Sequence, residues 1–133
     1  MNKLFRVYIL DHKRFSYFDL NNFEFSDFSK FNYQDRHLYS KKYPIQQYTG
    51  LNDKNKTPIY EGDIIDFTAR YKQDGPAEVI FYGGSYGCII FDDGGLKEFW
   101  RLHDIVQQHY PEIIGNIFDN PELLEDCPVA KEL

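Results

Sequence analysis

The chain has 133 residues, a formal net charge of −6 and an aromatic fraction of 18%, which consists of 12 Phe, 11 Tyr and one Trp. This length is typical of one ordinary domain with one core, and the abundance of aromatic rings favours β-strands. No stretch reaches the roughly 20 apolar residues of a membrane-spanning helix, and the N-terminus lacks the apolar region of a signal peptide. The composition predicts a soluble protein of the cytoplasm. In that compartment Cys88 and Cys127, which match no metal or redox spacing, are expected to be free thiols.

The charges are distributed unevenly along the chain. Residues 1–59 carry 10 Lys/Arg and 6 Asp/Glu, a net charge of +4, whereas residues 60–133 carry 5 and 15, a net charge of −10. Halves of opposite charge attract each other within one chain or between copies. We therefore expect complementary packing within or between subunits, and we prefer it to steering of an external partner.

The first 43 residues contain one clear element. Residues 4–10 and 14–20 are apolar or aromatic runs with a polar turn between them, which predicts an N-terminal β-hairpin. From residue 21 to residue 43 aromatic residues recur without a period of 2 or 3.6. This segment is either an irregular aromatic-rich arm or contains one short helix that covers the sheet.

The remaining chain alternates short apolar runs with turn residues. Residues 44–49 are expected to be extended, and Gly50 with the polar cluster that follows it predicts a tight turn. Aspartate and glycine between apolar runs indicate hairpins. Strands are predicted at 63–69, 77–82, 86–91, 96–100 and 112–118, with short helical pieces at 101–109 and 121–124.

Five strands at this spacing predict a mainly β fold with a small SH3-like five-stranded barrel over about residues 60–120. Closure of the sheet would remove exposed edges. The expected organisation is one domain over residues 1–125, in which residues 1–58 form the hairpin and arm and residues 59–125 the barrel. The tail 126–133 is expected to be disordered.

Two long motifs carry a family resemblance. QYTGL at 47–51, followed by IYEGDI at 59–64, and IIGNIFDNPELL at 113–124 resemble the signatures of the YopX family, which occurs mainly in phages and prophages. The resemblance implies a β-rich fold and a mobile-element origin, and it supplies no catalytic residues. The signature residues, for which we expect a structural role, are Gln47, Tyr48, Thr49, Gly50, Leu51, Asp53, Tyr60, Glu61, Gly62, Asp63, Gly115, Asn116, Asn120 and Pro121.

The sequence was tested for common chemical sites. The segment from Asp53 alternates oxygen-bearing residues as a calcium loop does, but its sixth and twelfth positions are Pro58 and Ile64 instead of glycine and glutamate. His103 and His109 are six residues apart, which fits no short metal motif. Cys88 lies within a strand, where a buried and inert thiol is expected. We therefore expect no catalytic site, no metal and no cofactor.

These observations predict a non-enzymatic accessory protein of a phage or prophage. It would act through protein–protein contact or self-assembly, as a homo-oligomer or with a host or phage protein. The alternative is a single-stranded nucleic-acid-binding module that uses the basic aromatic segment 28–43. Nucleic acid is the less favoured partner because the barrel half is strongly acidic. The partner-binding candidates in that segment are Lys30, Phe31, Tyr33, Arg36, Tyr39, Lys41 and Lys42.

Overall fold

The computed structural model describes residues 3–9, 12–19, 45–67, 76–91 and 97–124. This part of the chain is mainly β, which confirms the predicted fold class. The strands are β1 (Phe5–Ile9), β2 (Arg14–Phe18), β3 (Gln46–Asn52), β4 (Pro58–Tyr60), β5 (Asp63–Asp66), β6 (Ala77–Glu78), β7 (Ile80–Tyr82), β8 (Ser85–Phe91), β9 (Lys97–Arg101) and β10 (Glu112–Asn116). The helices are α1 (Leu102–His109) and a 3-10 helix at Pro121–Leu124.

The chain divides into two compact units, Met1–Tyr48 and Thr49–Leu133. The boundary between the units lies within β3. The sequence predicted a later boundary, between residues 58 and 59, where the hairpin and the arm end and the barrel begins. The arm at 21–43 and the tail at 126–133 lie outside the described residues. So do residues 68 and 69 of the predicted first barrel strand.

The first unit contains the predicted N-terminal hairpin. Strands β1 and β2 pair antiparallel from Phe5 opposite Phe18 to Ile9 opposite Arg14. Because strand side chains alternate between faces, one face collects Val7 and Phe18 in a small core with Phe5 and Ile9 packed beside them. The rings of Phe5 and Phe18 stack with their centroids 5.6 Å apart.

The other face of the hairpin holds a buried cation. Arg6 is 3% exposed, and its Nε donates a hydrogen bond to Oε1 of Gln46 at 2.8 Å. Its guanidinium carbon lies 3.9 Å from the centroid of the Phe15 ring. The attraction between a cation and an aromatic face offsets part of the hydration free energy that the cation loses on burial. This face of β1 is therefore held by polar and cation–π contacts.

The structure corrects two details of the segment that joins the units. The predicted turn is present in the polar cluster before Pro58, but Gly50, which the prediction included in it, is part of β3, which continues to Asn52 although Gly50 has a φ of +85°. Residues 58–60 form β4, a strand that the sequence did not predict, beside β3. The hydroxyl Oγ1 of Thr49 donates to the carbonyl oxygen of Ile59 at 2.7 Å. The true turn thus lies between Asn52 and Pro58.

The second unit contains the five predicted barrel strands. The three-stranded sheets have the orders β10-β5-β6 and β7-β8-β9. Only Val79 separates β6 from β7, so one bent strand connects the two sheets. The resulting order is β10-β5-β6/β7-β8-β9, and the sheet curls into a half-barrel.

The interior of this half-barrel is mainly aliphatic, and α1 packs against it. The helix begins directly after β9 and ends at Tyr110, which has a φ of +47°. It contributes Leu102 and Ile105, both fully buried, to the core. The other buried members of the core are Ile59, Ile65, Phe67, Ala77, Val79, Cys88 and Ile90.

Candidate functional site

Asp53, the first signature carboxylate, organises the turn between β3 and β4. Its Oδ1 accepts hydrogen bonds from the backbone N–H groups of Asn55 and Thr57, both at 2.9 Å. Its Oδ2 accepts one from the N–H of Ile113 at 3.0 Å. The side chain is 7% exposed, so these three donors replace its hydration. The residue that began the calcium-like pattern therefore directs both oxygens to backbone amides.

Asp63, another signature carboxylate, is at the start of β5 and is 3% exposed. Its Oδ2 accepts the backbone N–H of Tyr60 at 2.8 Å. Around it, the N–H of Gly62 donates to the carbonyl oxygen of Val79, and the N–H of Val79 donates to that of Asp63, both at 2.8 Å. Gly62 has a φ of +88°, a conformation that favours glycine. This part of the motif turns the chain into the barrel.

The C-terminal motif forms a second self-contained turn. Oδ1 of Asn116 accepts the N–H groups of Phe118 and Asp119, both at 2.9 Å. Oδ1 of Asn120 accepts the N–H of Asn116 at 3.3 Å. Gly115 lies beneath the Asn120 side chain, since a Cβ on this glycine would be 2.5 Å from that Oδ1. The motif favours glycine at this position because the Asn120 side chain occupies the space that a Cβ would take.

The two motifs meet in the second unit although they are 60 residues apart. Besides the bond from Ile113 to Asp53, the N–H of Lys54 donates to the carbonyl oxygen of Pro111 at 2.8 Å. The N–H of Ile117 donates to the carbonyl oxygen of Gly62 at 3.0 Å. The side-chain oxygens of Asp53, Asp63, Asn116 and Asn120 thus accept hydrogen bonds from backbone groups, and a structural role for the signature residues remains our prediction.

The other signature residues occupy ordinary structural positions. In the first unit Gln47 lies opposite Phe5, and the N–H of Tyr48 donates to the carbonyl oxygen of Leu4 at 2.7 Å. In the second unit Leu51 packs against the core, and Tyr60 is buried. Pro121 is the first residue of the 3-10 helix.

One group of titratable side chains lies near the turn into the barrel. Burial raises the pKa of Glu78, and the negative charge of Glu61 raises it further. The same two causes, in the same order, raise the pKa of Tyr86. Burial also raises the pKa of the Cys88 thiol, which is free and fully buried as the sequence predicted. A thiol whose pKa is raised in this way is a poor nucleophile.

Among the described residues of the second unit, the large aromatic side chains that are more than half exposed are those of Phe81, Tyr82 and Tyr110, and the first two lie in the hairpin of β7 and β8. Phe81 and Tyr82 are 55% and 62% exposed. They precede a tight turn at Gly83 and Gly84, both of which have positive φ. Residues 79–91 contain no charged side chain. We call this segment the aromatic hairpin; the sequence predicted its two strands but not the exposure of its rings.

Other candidates are less informative. The predicted partner-binding residues at 30–42 lie outside the described part of the chain. Of the histidines, His103 is exposed, and the ring of His109 stacks on Trp100 with centroids 5.4 Å apart. In the described ranges, no three or more His, Cys, Asp or Glu side chains form a group that could hold a metal ion. Among the same residues, no helix has the length and apolar character needed to cross a membrane.

Comparison with known proteins identifies a family and similarity to solved structures. A family model described as "YopX protein" matches residues 4–125 of the chain. No curated protein matches it. The chain is similar to the crystal structure of protein EF1440 from Enterococcus faecalis, with 25% identity and a TM-score of 0.47 over 92% of this chain and 97% of that one. The family match includes every described strand and helix.

Proposed function

Because this chain belongs to the YopX protein family, we propose that it is a non-enzymatic accessory protein of a phage or prophage. It acts in the cytoplasm of the bacterial host through protein–protein contact, and its copies associate with one another. The observation that carries this proposal is the aromatic hairpin. Two largely exposed rings in a segment without charged residues are costly in water and are typical anchors of protein interfaces.

The size of the aromatic hairpin indicates that it anchors a larger contact. A Phe or Tyr side chain buries about 150–250 Å² when it is fully covered. With little more than half of each ring exposed, Phe81 and Tyr82 together offer about 200 Å². A standard interface buries about 800 Å² on each partner. Other surfaces must therefore supply most of the contact area.

The uneven charge supplies a reason for copies to associate. The sequence of residues 1–48 carries 8 Lys/Arg and 5 Asp/Glu, whereas that of residues 49–133 carries 7 and 16. The first unit is thus net positive by 3 charges and the second net negative by 9. Attraction between the first unit of one copy and the second unit of another would offset the repulsion between two chains of net charge −6.

Several groups support a non-enzymatic role. The carboxylate of Asp53 and the amide oxygens of Asn116 and Asn120 accept hydrogen bonds from backbone amides. The Cys88 thiol is fully buried. The side chains that the sequence motifs offer for chemistry are thereby committed to holding turns and packing the core.

The test is light scattering of the full chain from about 0.01 to 1 M salt, a range over which the Debye length falls from about 30 to 3 Å. We expect a mass above that of the monomer at low salt and a decrease as salt rises. Phe81→Ser combined with Tyr82→Ser should weaken association at every salt concentration. Tyr17→Ser, which removes a 48% exposed ring from β2, is the matched control. A monomer at all salt concentrations would contradict the proposal.

A further inference from the structure

The two exposed rings of the aromatic hairpin lie on opposite faces of their sheet. Phe81 and Tyr82 are consecutive in β7, and neighbouring side chains of a strand point to opposite faces. The ring of Phe81 packs edge-on against Tyr86 of β8, with a centroid distance of 5.0 Å. The ring of Tyr82 lies instead beside Phe99 of β9, with a centroid distance of 5.4 Å. A flat partner surface on one side of the hairpin therefore covers only one of the two exposed rings.

Each exposed ring contacts a neighbour that is itself fixed by packing. Tyr86, which contacts Phe81, packs against the core of the second unit. Phe99, which contacts Tyr82, lies so close to Gly87 that a Cβ on this glycine would be 2.6 Å from the Phe99 ring. Rigid aromatic side chains supply contact area at a low cost in conformational entropy. Both exposed rings are therefore pre-positioned anchors, and little ordering is needed when a partner covers them.

The end of the hairpin beyond the two rings is narrow and uncharged. Gly83 and Gly84 connect β7 to β8, and a Cβ on either glycine would have no atom within 4 Å. Residues 79–91 contain no charged side chain, so a partner that covers this end removes no charge of the hairpin from water. We call residues 81–86 the hairpin tip. The hairpin tip can thus be covered on both sides at once.

The charges of the two units select the surface that receives the hairpin tip. The tip belongs to a unit of net charge −9, which is repelled by nucleic acid, by anionic lipid, by an acidic peptide and by the second unit of another copy. The first unit is net positive by 3 charges. In that unit Arg6 is buried and Lys3 is paired with Asp19. Lys13 and Arg14, where the turn between β1 and β2 ends, are exposed, so this turn is the complementary surface.

We propose that the hairpin tip of one copy inserts at the β1–β2 turn of a second copy, which covers Phe81 on one side and Tyr82 on the other. This inference rests on the proposed function and names the receiving surface of the same association. Because both rings lose their exposed area in this contact, each is separately necessary. The inserted and the receiving surfaces differ, so the contact is heterologous. Tyr17 lies on the opposite face of the N-terminal hairpin from Arg14, so Tyr17→Ser remains a suitable control.

Single substitutions test whether both sides of the hairpin tip are covered. The association constant of the full chain is measured by light scattering at about 0.01 M salt, where charge attraction is least screened. Phe81→Ser and Tyr82→Ser should each weaken association by about tenfold or more, because each removes a central aromatic anchor. If circular dichroism shows that a serine variant is unfolded, Phe81→Leu or Tyr82→Leu replaces it and should weaken association severalfold. If one ring is dispensable, the contact is one-sided and the proposal is overturned.

Two charge-reversed variants test the receiving surface. Lys13→Glu combined with Arg14→Glu turns two cations into two anions, which changes the net charge from −6 to −10, and should weaken association by about tenfold or more. Lys54→Glu combined with Lys56→Glu makes the same change in an exposed turn of the second unit and is the matched control. The ion pair between Lys54 and Glu112 is exposed and contributes little. The control should not weaken association, and equal weakening by both pairs would overturn the assignment of the receiving surface.

A mixing experiment tests whether the contact is heterologous. The chain with Phe81→Ser and Tyr82→Ser retains the receiving turn, and the chain with Lys13→Glu and Arg14→Glu retains the hairpin tip. Neither chain should associate with itself at the concentration used, but an equimolar mixture should form a complex that contains both chains. Absence of this complex would overturn the proposal.

The remaining outcomes separate this inference from the proposed function. If the native chain associates in a salt-dependent way but the two defective chains form no complex, this inference fails and the proposed function stands. A native chain that is a monomer at all salt concentrations contradicts the proposed function itself. If that monomer binds phosphatidylcholine vesicles and Phe81→Ser or Tyr82→Ser abolishes this binding, the hairpin tip belongs to a lipid surface and the proposal is overturned.

Discussion

Removal of the Asp53 side chain should reveal how strongly one carboxylate joins the two signature motifs. In Asp53→Ala the N–H groups of Asn55, Thr57 and Ile113 lose their acceptor. The first two belong to an exposed turn, where water replaces the lost bonds at modest cost. Ile113 is half-buried in β10, and its unpaired amide carries most of the penalty.

The expected magnitude follows from these three bonds. Hydrogen bonds to a charged group contribute about 1.5–3 kcal/mol each, and they are not additive when they share one acceptor. Counting one full bond and two that water partly replaces, we expect Asp53→Ala to lower the free energy of unfolding by about 3 kcal/mol. Asp53→Asn keeps one acceptor oxygen and should lower the free energy of unfolding by about half as much.

Urea unfolding measures this difference. For a slope of about 2 kcal/mol per molar urea, a loss of about 3 kcal/mol lowers the midpoint by about 1.5 M. Asp66→Ala, which removes an exposed carboxylate at the end of β5, is the matched control and should change stability by less than about 0.5 kcal/mol. If Asp53→Ala and Asp66→Ala had the same midpoint, the assignment of Asp53 as the link between the motifs would be wrong.

Two further predictions concern the half-barrel. Gly87→Ala should lower the free energy of unfolding by about 3 kcal/mol, because its Cβ would be 2.2 Å from the Trp100 carbonyl oxygen. The control is Gly50→Ala, which should lower it by only about 1 kcal/mol, because Gly50 has a φ of +85° but a Cβ there would have no atom within 4 Å. Equal urea midpoints of the two variants would contradict the close packing at Gly87. Glu78→Gln should stabilise the protein at neutral pH. Because the folded-state pKa of Glu78 lies above its unfolded value, the native chain loses stability as pH rises from the unfolded to the folded pKa. The stability advantage of Glu78→Gln should therefore vanish below the unfolded pKa and be constant above the folded-state pKa. Urea midpoints at several pH values test this, and a pH-independent difference would refute it.

Local signals predicted most of the second unit. The turn at Gly83 and Gly84 requires positive φ at both positions, and a glycine pair between apolar runs predicts such a hairpin. Pro121 begins the 3-10 helix as predicted, because proline fits the first position of a helix. These features depend on residues close in sequence, so a linear pattern contains them.

The features that the sequence did not predict depend on contacts between residues that are not neighbours in the chain. The sequence placed a turn at Gly50, but β4 lies beside β3 and the strand continues past this glycine. The oxygen-rich segment at Asp53 that resembles a calcium loop makes a long-range contact instead. The backbone N–H of Ile113, 60 residues further along the chain, donates a hydrogen bond to the Asp53 carboxylate. Exposure likewise depends on which elements cover a strand, so the sequence did not predict that the rings of Phe81 and Tyr82 are exposed.

The sequence by itself determined the family, the mainly β class and the positions of the five barrel strands, because signature motifs, glycine turns and apolar alternation are local properties of the chain. Only the tertiary structure decided that the signature carboxylate Asp53 binds backbone amides, and that the rings of Phe81 and Tyr82 are exposed. The physical reason is that hydrogen-bond acceptors, burial and neighbouring strands are set by contacts between residues distant in sequence, which no local pattern specifies.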